Sequence, residues 1–349
     1  MNQKIQIGNR KVGNNHKCFI IAEAGVNHNG DINLAKELIY KAKEANVDCV
    51  KFQTFKAERL VLDSAPKAQY QLKTTDKNES QFRMLKNLEL PLDSYKELLD
   101  LCKQLDLVFM STPYNYEDVD MLDKLGVEAF KLASISIVEP SFIEYVASKN
   151  KPVIMSTGMA NLKEVESGIK AALRVKNKDL ILLQCTTNYP TELKDVNLRS
   201  MNTMRDKFNV LVGYSDHTQS DLASLSAVAA GSCVVEKHFT LDKSMPGPDQ
   251  SSSYNTEEFT KLVESIRLVE ELMGSAVKQP SNVELENIDG MRRSVVAKVN
   301  INKGQLINES MLTLKRPGFG LSPNYLKDLI GTEAKKAYPK NTLFSIDDL

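Results

Sequence analysis

Eight short runs of apolar, largely β-branched residues recur between Cys18 and about Met273, and longer stretches with helical periodicity separate most of them. The runs are Phe19–Glu23, Cys49–Gln53, Val108–Ser111, Ala129–Leu132, Val153–Ser156, Leu180–Gln184, Val210–Gly213 and Val234–His238. A strand apolar on both faces must be covered on both, which happens when parallel strands are joined by helical crossovers. Helices are expected at Leu34–Ala45 and Leu222–Ala230, among others. Eight such units over roughly 250 residues fit a closed TIM (β/α)8 barrel. A doubly wound open sheet is the competing α/β fold, but the chain has no Gly-rich dinucleotide loop to support it.

The barrel is expected to occupy residues 1–276. Within it, Thr54–Pro91 is long for a βα connection and contains a predicted helix, Glu79–Leu88. Because it follows a strand, it belongs to the catalytic face, either as a lid or frame for a substrate or as a packing insertion. Residues 277–290 are polar and read as a linker. Residues 291–349 form a small β-rich domain, with strands expected at Ser294–Val299 and Met311–Leu314 and turns at Gly304, Pro317, Gly318 and Gly320.

Basic and acidic residues balance at 45 each, so no net field points to nucleic acid or an anionic membrane. Met1–Lys17 is polar and lacks a signal-peptide pattern, and no apolar stretch is long enough to span a membrane. The five cysteines include no C-x-x-C pair and read as buried free thiols. A cytoplasmic chain is expected.

Where the strands end, polar residues collect. The first gives Glu23, then Asn27 and His28; the second Lys51 and Gln53; the third Ser111 and Thr112. Lys131 and Ser134 follow from the fourth, Ser156 and Thr157 from the fifth, and Thr186, Thr187 and Tyr189 from the sixth. The last two strands give Ser215, His217, Glu236 and His238. A core would not select such residues, since burying unpaired polar groups is costly. In a barrel they converge on one mouth. His217 and His238, two of only four histidines, end consecutive strands there, and neutral imidazoles could hold one divalent metal. Two histidines satisfied by local hydrogen bonds are the alternative. Lys51 and Lys131 with several hydroxyls make a cage for a phosphate or carboxylate, unless each lysine reaches out to solvent. Glu23 offers a base or an acceptor. Anion cage and metal together point to a small phosphorylated acid reacting with a polarised carbonyl.

The chain resembles the sialic acid synthase family along essentially its whole length. The matching stretches are IIAEAGVNHNG at 20–30, VKFQTFK at 50–56, STP at 111–113, STGM at 156–159, GYSDHT at 213–218, EKHFTLD at 236–242 and PGPD at 246–249. KG at 303–304 and KRPG at 315–318 resemble the antifreeze-like (SAF, β-clip) domain of these enzymes. The resemblance implies metal-dependent condensation of phosphoenolpyruvate with an open-chain 2-acetamido sugar to a nine-carbon 2-keto acid and phosphate.

Carried over by position, the resemblance makes His217 and His238 ligands of Mn2+ or Mg2+, and puts Glu23 and Glu236 at the reacting centre. It gives Lys51, Thr112, Lys131, Ser134, Ser156, Thr187 and Ser215 to phosphoenolpyruvate, and Gln53, Tyr189 and Asp249 to the sugar. Arg316 of the small domain matches an arginine that reaches into a partner chain's barrel, which implies a domain-swapped homodimer. Two departures touch the site. Ser134-Ile135-Ser136 stands where many relatives carry Ser-Gly-Glu, and Thr187 stands where some sialic acid synthases carry Asn. N-acetylmannosamine, giving N-acetylneuraminate, is the first expectation; 2,4-diacetamido-2,4,6-trideoxymannose, giving legionaminate, is the second. Ala65–Tyr70 is similar to both of those branches. Another phosphoenolpyruvate–aldose synthase and a non-enzymatic carbohydrate-binding protein are the remaining alternatives.

Overall fold

The computed structural model describes residues 3–349, which divide into two compact units, one ending at Gly274 and the other spanning Ser275–Leu349. In the first unit a hairpin, β1 (Lys4–Ile7) and β2 (Arg10–Gly13), precedes eight parallel strands. These are β3 (Phe19–Gly25), β4 (Cys49–Thr54), β5 (Val108–Pro113), β6 (Phe130–Leu132), β7 (Val153–Ser156), β8 (Leu180–Cys185), β9 (Leu211–Asp216) and β10 (Val234–His238). They pair in the order β5-β4-β3-β10-β9-β8-β7-β6, so the last strand returns to the first and the sheet curls into a barrel. The seam between β5 and β6 is the one neighbouring pair without a backbone ladder, so the TIM barrel is nearly closed.

Alternation along the strands divides the core in two. Ala22, Val50, Phe109, Phe130, Met155, Leu182, Val212 and Val235 face outward and pack on the helices. Phe19, Ile21, Cys49, Met110, Ala129, Ile154, Leu183 and Val234 face inward and fill the barrel. Ile5, Ile7 and Val12 of the hairpin join that inner cluster and close the N-terminal end. The expected helices appear at Ile32–Glu44 and Asp221–Ala229; Asp31 caps the first by accepting from Asn33 N (2.7 Å). All five cysteines are free and buried. Among the described residues no helix is long and apolar enough to cross a membrane.

The Thr54–Pro91 connection holds three short helices, Ala57–Leu60, Gln71–Thr74 and Gln81–Asn87, the last inside the expected Glu79–Leu88. It is fastened by ion pairs, Lys56–Glu89 at 2.8 Å and Lys67–Glu79 at 3.4 Å.

The second unit has its own core, formed by Val295, Ala297, Ile301, Ile307, Leu312, Leu321, Leu329, Ala334, Tyr338 and Phe344. Its one hairpin pairs β11 (Ser294–Ala297) with β12 (Leu312–Lys315). The stretch read as a linker is more ordered than expected, with single-turn helices at Asn282–Leu285 and Ile288–Met291.

Candidate active site

The inward positions of each strand are apolar at the N-terminal end and turn polar two residues before the mouth. Ile21 is followed on its face by Glu23, Cys49 by Lys51 and Gln53, Met110 by Thr112, Ala129 by Lys131, and Ile154 by Ser156. Leu183 is followed by Cys185, Gly213 by Ser215, and Val234 by Glu236 and His238. All of these C-terminal residues line one cavity of about 420 Å³, together with Ser134, Thr187, Tyr189, His217 and Asp249. The barrel unit thus brings together every residue of its own that the family resemblance places at the site. Arg316 belongs to the second unit, where it is exposed and its Nε donates to Met291 O (3.1 Å).

The cavity lining corrects five expectations. Asn27, His28, Ser111, Thr157 and Thr186 do not line the cavity. Asn27 Nδ2 donates to Phe239 O and Ser253 Oγ, and His28 Nδ1 accepts from Gly30 N. Ser111 and Thr54 share a hydroxyl hydrogen bond (2.7 Å), while Thr157 and Thr186 donate to Leu183 O and Asp195 O. These groups are structural: they satisfy backbone and neighbours behind the site. Ser136 is likewise buried away from the cavity, whereas Ile135 lines it.

Four charges form the floor. Lys51 Nζ lies 2.5 Å from Glu23 Oε2 and 3.7 Å from Glu236 Oε2; Lys131 Nζ lies 3.5 Å from Glu236 Oε1. Hydroxyls complete the ring. Lys51 donates to Thr112 Oγ1 (3.2 Å), Lys131 to Ser156 Oγ (2.7 Å), and Ser215 Oγ to Glu236 Oε1 (3.1 Å). All four charged side chains are buried. Burial pushes the Glu23 carboxyl up, with Glu236 adding to it against the pull of Lys51. Burial acts on Glu236 too, but Lys131, Lys51 and His238 outweigh it and hold that group at about 2. Two neighbouring carboxyls are thereby driven apart, the pattern that lets one hold a proton while the other stays ionised.

A bulge shapes the Glu23 side. The β3–β4 register slips between Glu23 and Gly25, and Gly25 has φ +53°. A Cβ there would sit 3.3 Å from both Gln53 Nε2 and Glu23 Oε1, the pair that hydrogen-bonds at 3.1 Å.

His217 and His238 face one another with ring centroids 5.5 Å apart. Tyr189 packs 4.1 Å from His217 and meets His238 edge-on at 5.4 Å, and Tyr70 backs Tyr189 at 4.9 Å. His217 Nδ1 lies 2.8 Å from Thr186 O; donating there, it leaves Nε2 free as a ligand. His238 Nδ1 is buried with no hydrogen-bond partner among the described residues, and burial followed by His217 keeps its pKa well below the usual value. Burial pulls the His217 pKa down, but Cys185 and Thr186 O outweigh it and leave it raised, so His217 must release a proton to ligate; with that proton gone, the two imidazoles fit a divalent ion. Among the described residues no group of three or more His, Cys, Asp or Glu converges, so water or substrate oxygen would fill the other positions.

Sequence reasoning missed Tyr114, whose hydroxyl donates to Gln53 Oε1 (3.2 Å). It is the residue after β5, two positions beyond the inward-facing Thr112, and that spacing was the available signal.

The sequence pattern of the NeuB family matches residues 38–278, and that of the SAF domain matches residues 292–349. The chain belongs to the NeuB family. Within reach of this NeuB chain is the N,N'-diacetyllegionaminic acid synthase of Campylobacter jejuni, 46% identical over 94% of this chain and 98% of that protein. The Legionella pneumophila protein of the same name is 44% identical over 95% and 94%. Among solved structures, N-acetylneuraminic acid synthetase from Leptospira borgpetersenii, in complex with citrate, is 32% identical. It superposes with a TM-score of 0.74 over 82% of this chain and 96% of its own. This NeuB chain is therefore an enzyme of the group that synthesises nonulosonic acids.

Proposed function

We propose that this enzyme is an N,N'-diacetyllegionaminate synthase. It condenses phosphoenolpyruvate with open-chain 2,4-diacetamido-2,4,6-trideoxymannose and releases phosphate. The observation that carries the choice of sugar is the 46% and 44% identity, along nearly the whole chain, to two proteins of that name. The N-acetylmannosamine expectation becomes the second reading, supported by the 32% identical N-acetylneuraminic acid synthetase.

The residues suit each part of the reaction. Lys51 and Lys131, with Thr112, Ser134, Ser156, Thr187 and Ser215, would bind the phosphate and carboxylate of phosphoenolpyruvate. Gln53, Tyr189 and Asp249 would orient the sugar so that its aldehyde carbon meets carbon 3 of the enol. Mn2+ or Mg2+ held by His217 and His238 would supply Lewis-acid polarisation of the aldehyde oxygen. Water adds at carbon 2, and the tetrahedral intermediate loses phosphate by carbon–oxygen cleavage. Glu23, opposite Lys51, would hold a proton at that centre, and Glu236 would accept one from the attacking water.

With Glu23 holding a proton, two lysines face one ionised glutamate, which leaves the floor a small positive surplus for an anion. A dication held at the imidazoles would add to that surplus against a trianion. Arg316 of a partner chain would add another positive group, making the working unit a domain-swapped homodimer of the cytoplasm.

The test is phosphate release from phosphoenolpyruvate with Mn2+ and a panel of amino sugars, with the product identified by mass. The expected result is fastest release with the diacetamido trideoxy sugar and a product of the mass of diacetyllegionaminate. Faster turnover of N-acetylmannosamine would establish the second reading, and no release with any acetamido sugar would defeat both.

A further inference from the structure

The cavity has two chemically different sides. The strand tips give it charge and hydroxyls, while the Thr54–Pro91 connection gives it Leu60, Val61, Met84, Leu85 and Leu88. Met84 and Leu88 are buried in a small cluster with Val26 and Phe55, against which Leu60, Leu85 and Tyr114 pack. Phe55 and Tyr114 meet edge to face at 6.0 Å and back this wall. Glu89 fixes its ends by accepting from Ala57 N (2.8 Å) and pairing with Lys56. Two amides, Gln71 and Gln81, share this side and bond to one another. Gln81 Nε2 donates to Gln71 Oε1 (3.2 Å), which also accepts from Ala68 N (2.9 Å).

The apolar side chains of this wall welcome a methyl group and give a hydroxyl no partner. Burying a hydroxyl without a partner is unfavourable, whereas burying a methyl is favourable. The aldehyde end of an open-chain sugar is committed to the histidines and the enol, so its far end is the part left to meet the wall. We propose that Leu60, Met84 and Leu85 are specificity-determining residues that select a sugar deoxygenated at carbon 6, by packing on its terminal methyl. This assignment rests on the proposed synthase reading and adds to it the group that the cavity distinguishes.

The test compares kcat/KM for 2,4-diacetamido-2,4,6-trideoxymannose with that for the same sugar bearing a 6-hydroxyl. The wild type is expected to favour the deoxy sugar by about 10–100-fold, the range an apolar pocket supplies. Leu85→Gln, and separately Leu60→Gln, place an amide on the wall and are expected to cut that ratio at least about fivefold, while each retains a cooperative thermal transition. Equal use of both sugars by the wild type would overturn the assignment. So would an unchanged ratio in folded Leu60→Gln. Turnover of neither diacetamido sugar would instead bring down the legionaminate reading, and the wall's role with it.

Discussion

Asp216 and Lys237 meet at 2.9 Å on the outer faces of β9 and β10, directly behind the inward-facing residues on either side of them. The motif Ser215-Asp216-His217 therefore splits, with Ser215 and His217 turned to the cavity and Asp216 turned to the helices. Glu236-Lys237-His238 splits the same way. Asp216 also accepts from Ser224 Oγ (2.6 Å), and Lys237 donates to Thr218 O (2.7 Å) and lies 4.3 Å from the Tyr254 ring centre. Removing one partner leaves a buried charge without its counterion, at a cost of about 3–5 kcal/mol. Lys237→Met should lower unfolding stability by that amount in urea titrations, and adding Asp216→Asn should recover part of it. An unchanged denaturation midpoint for Lys237→Met would show that the pair does not hold these strands.

Asp249 gives the barrel a pH dependence. Burial, and then Glu23, raise its carboxyl from an ordinary 3.8 to about 7, with His217 pulling the other way. The unfolded chain releases this proton near 3.8, and the folded chain keeps it until about 7. The carboxyl's favourable contribution is thus fully present below pH 4 and fades as pH rises to 7. Asp249→Asn removes that loss. Measured with chelator present, the variant should gain stability relative to wild type between pH 4 and pH 8, on the order of a few kcal/mol at the upper end. A constant difference across that range would remove the raised carboxyl from the account.

Arg316 tests the dimer. Inactive Arg316→Ala chains mixed with inactive His217→Ala chains should regain up to about a quarter of wild-type activity, because a swapped pair can contain one intact barrel served by an intact arginine. No recovery in mixed dimers verified by mass would mean that each chain supplies its own arginine.

The barrel was legible because its strands are short, apolar and evenly spaced by helices, and the site because strand ends chose Lys, Glu, Ser and His where a core would not. Parity was the finer signal. Thr112 and Ser156 face the cavity while Ser111 and Thr157 face away, and only the inner-core positions Met110 and Ile154 fix which is which. The N-terminal hairpin was missed because each four-residue strand buries only one or two apolar side chains, too few for a periodic pattern. The apolar wall was hidden for a related reason. Leu60 comes from a single-turn helix and Met84 and Leu85 from a second, seven-residue helix of a connection whose sequence shows no continuous periodicity, and they converge only once ion pairs fold it over the mouth.

The proposed chemistry requires His217 and His238 to share one ion beside the paired lysines, and Mn2+ binding followed by electron paramagnetic resonance tests this most directly. The wild type should bind one Mn2+ per chain at this site, His217→Ala and His238→Ala should each lose it, and His16→Ala, changed at an exposed position, should keep it. Undiminished binding of one Mn2+ per chain in folded His217→Ala and His238→Ala would contradict the account.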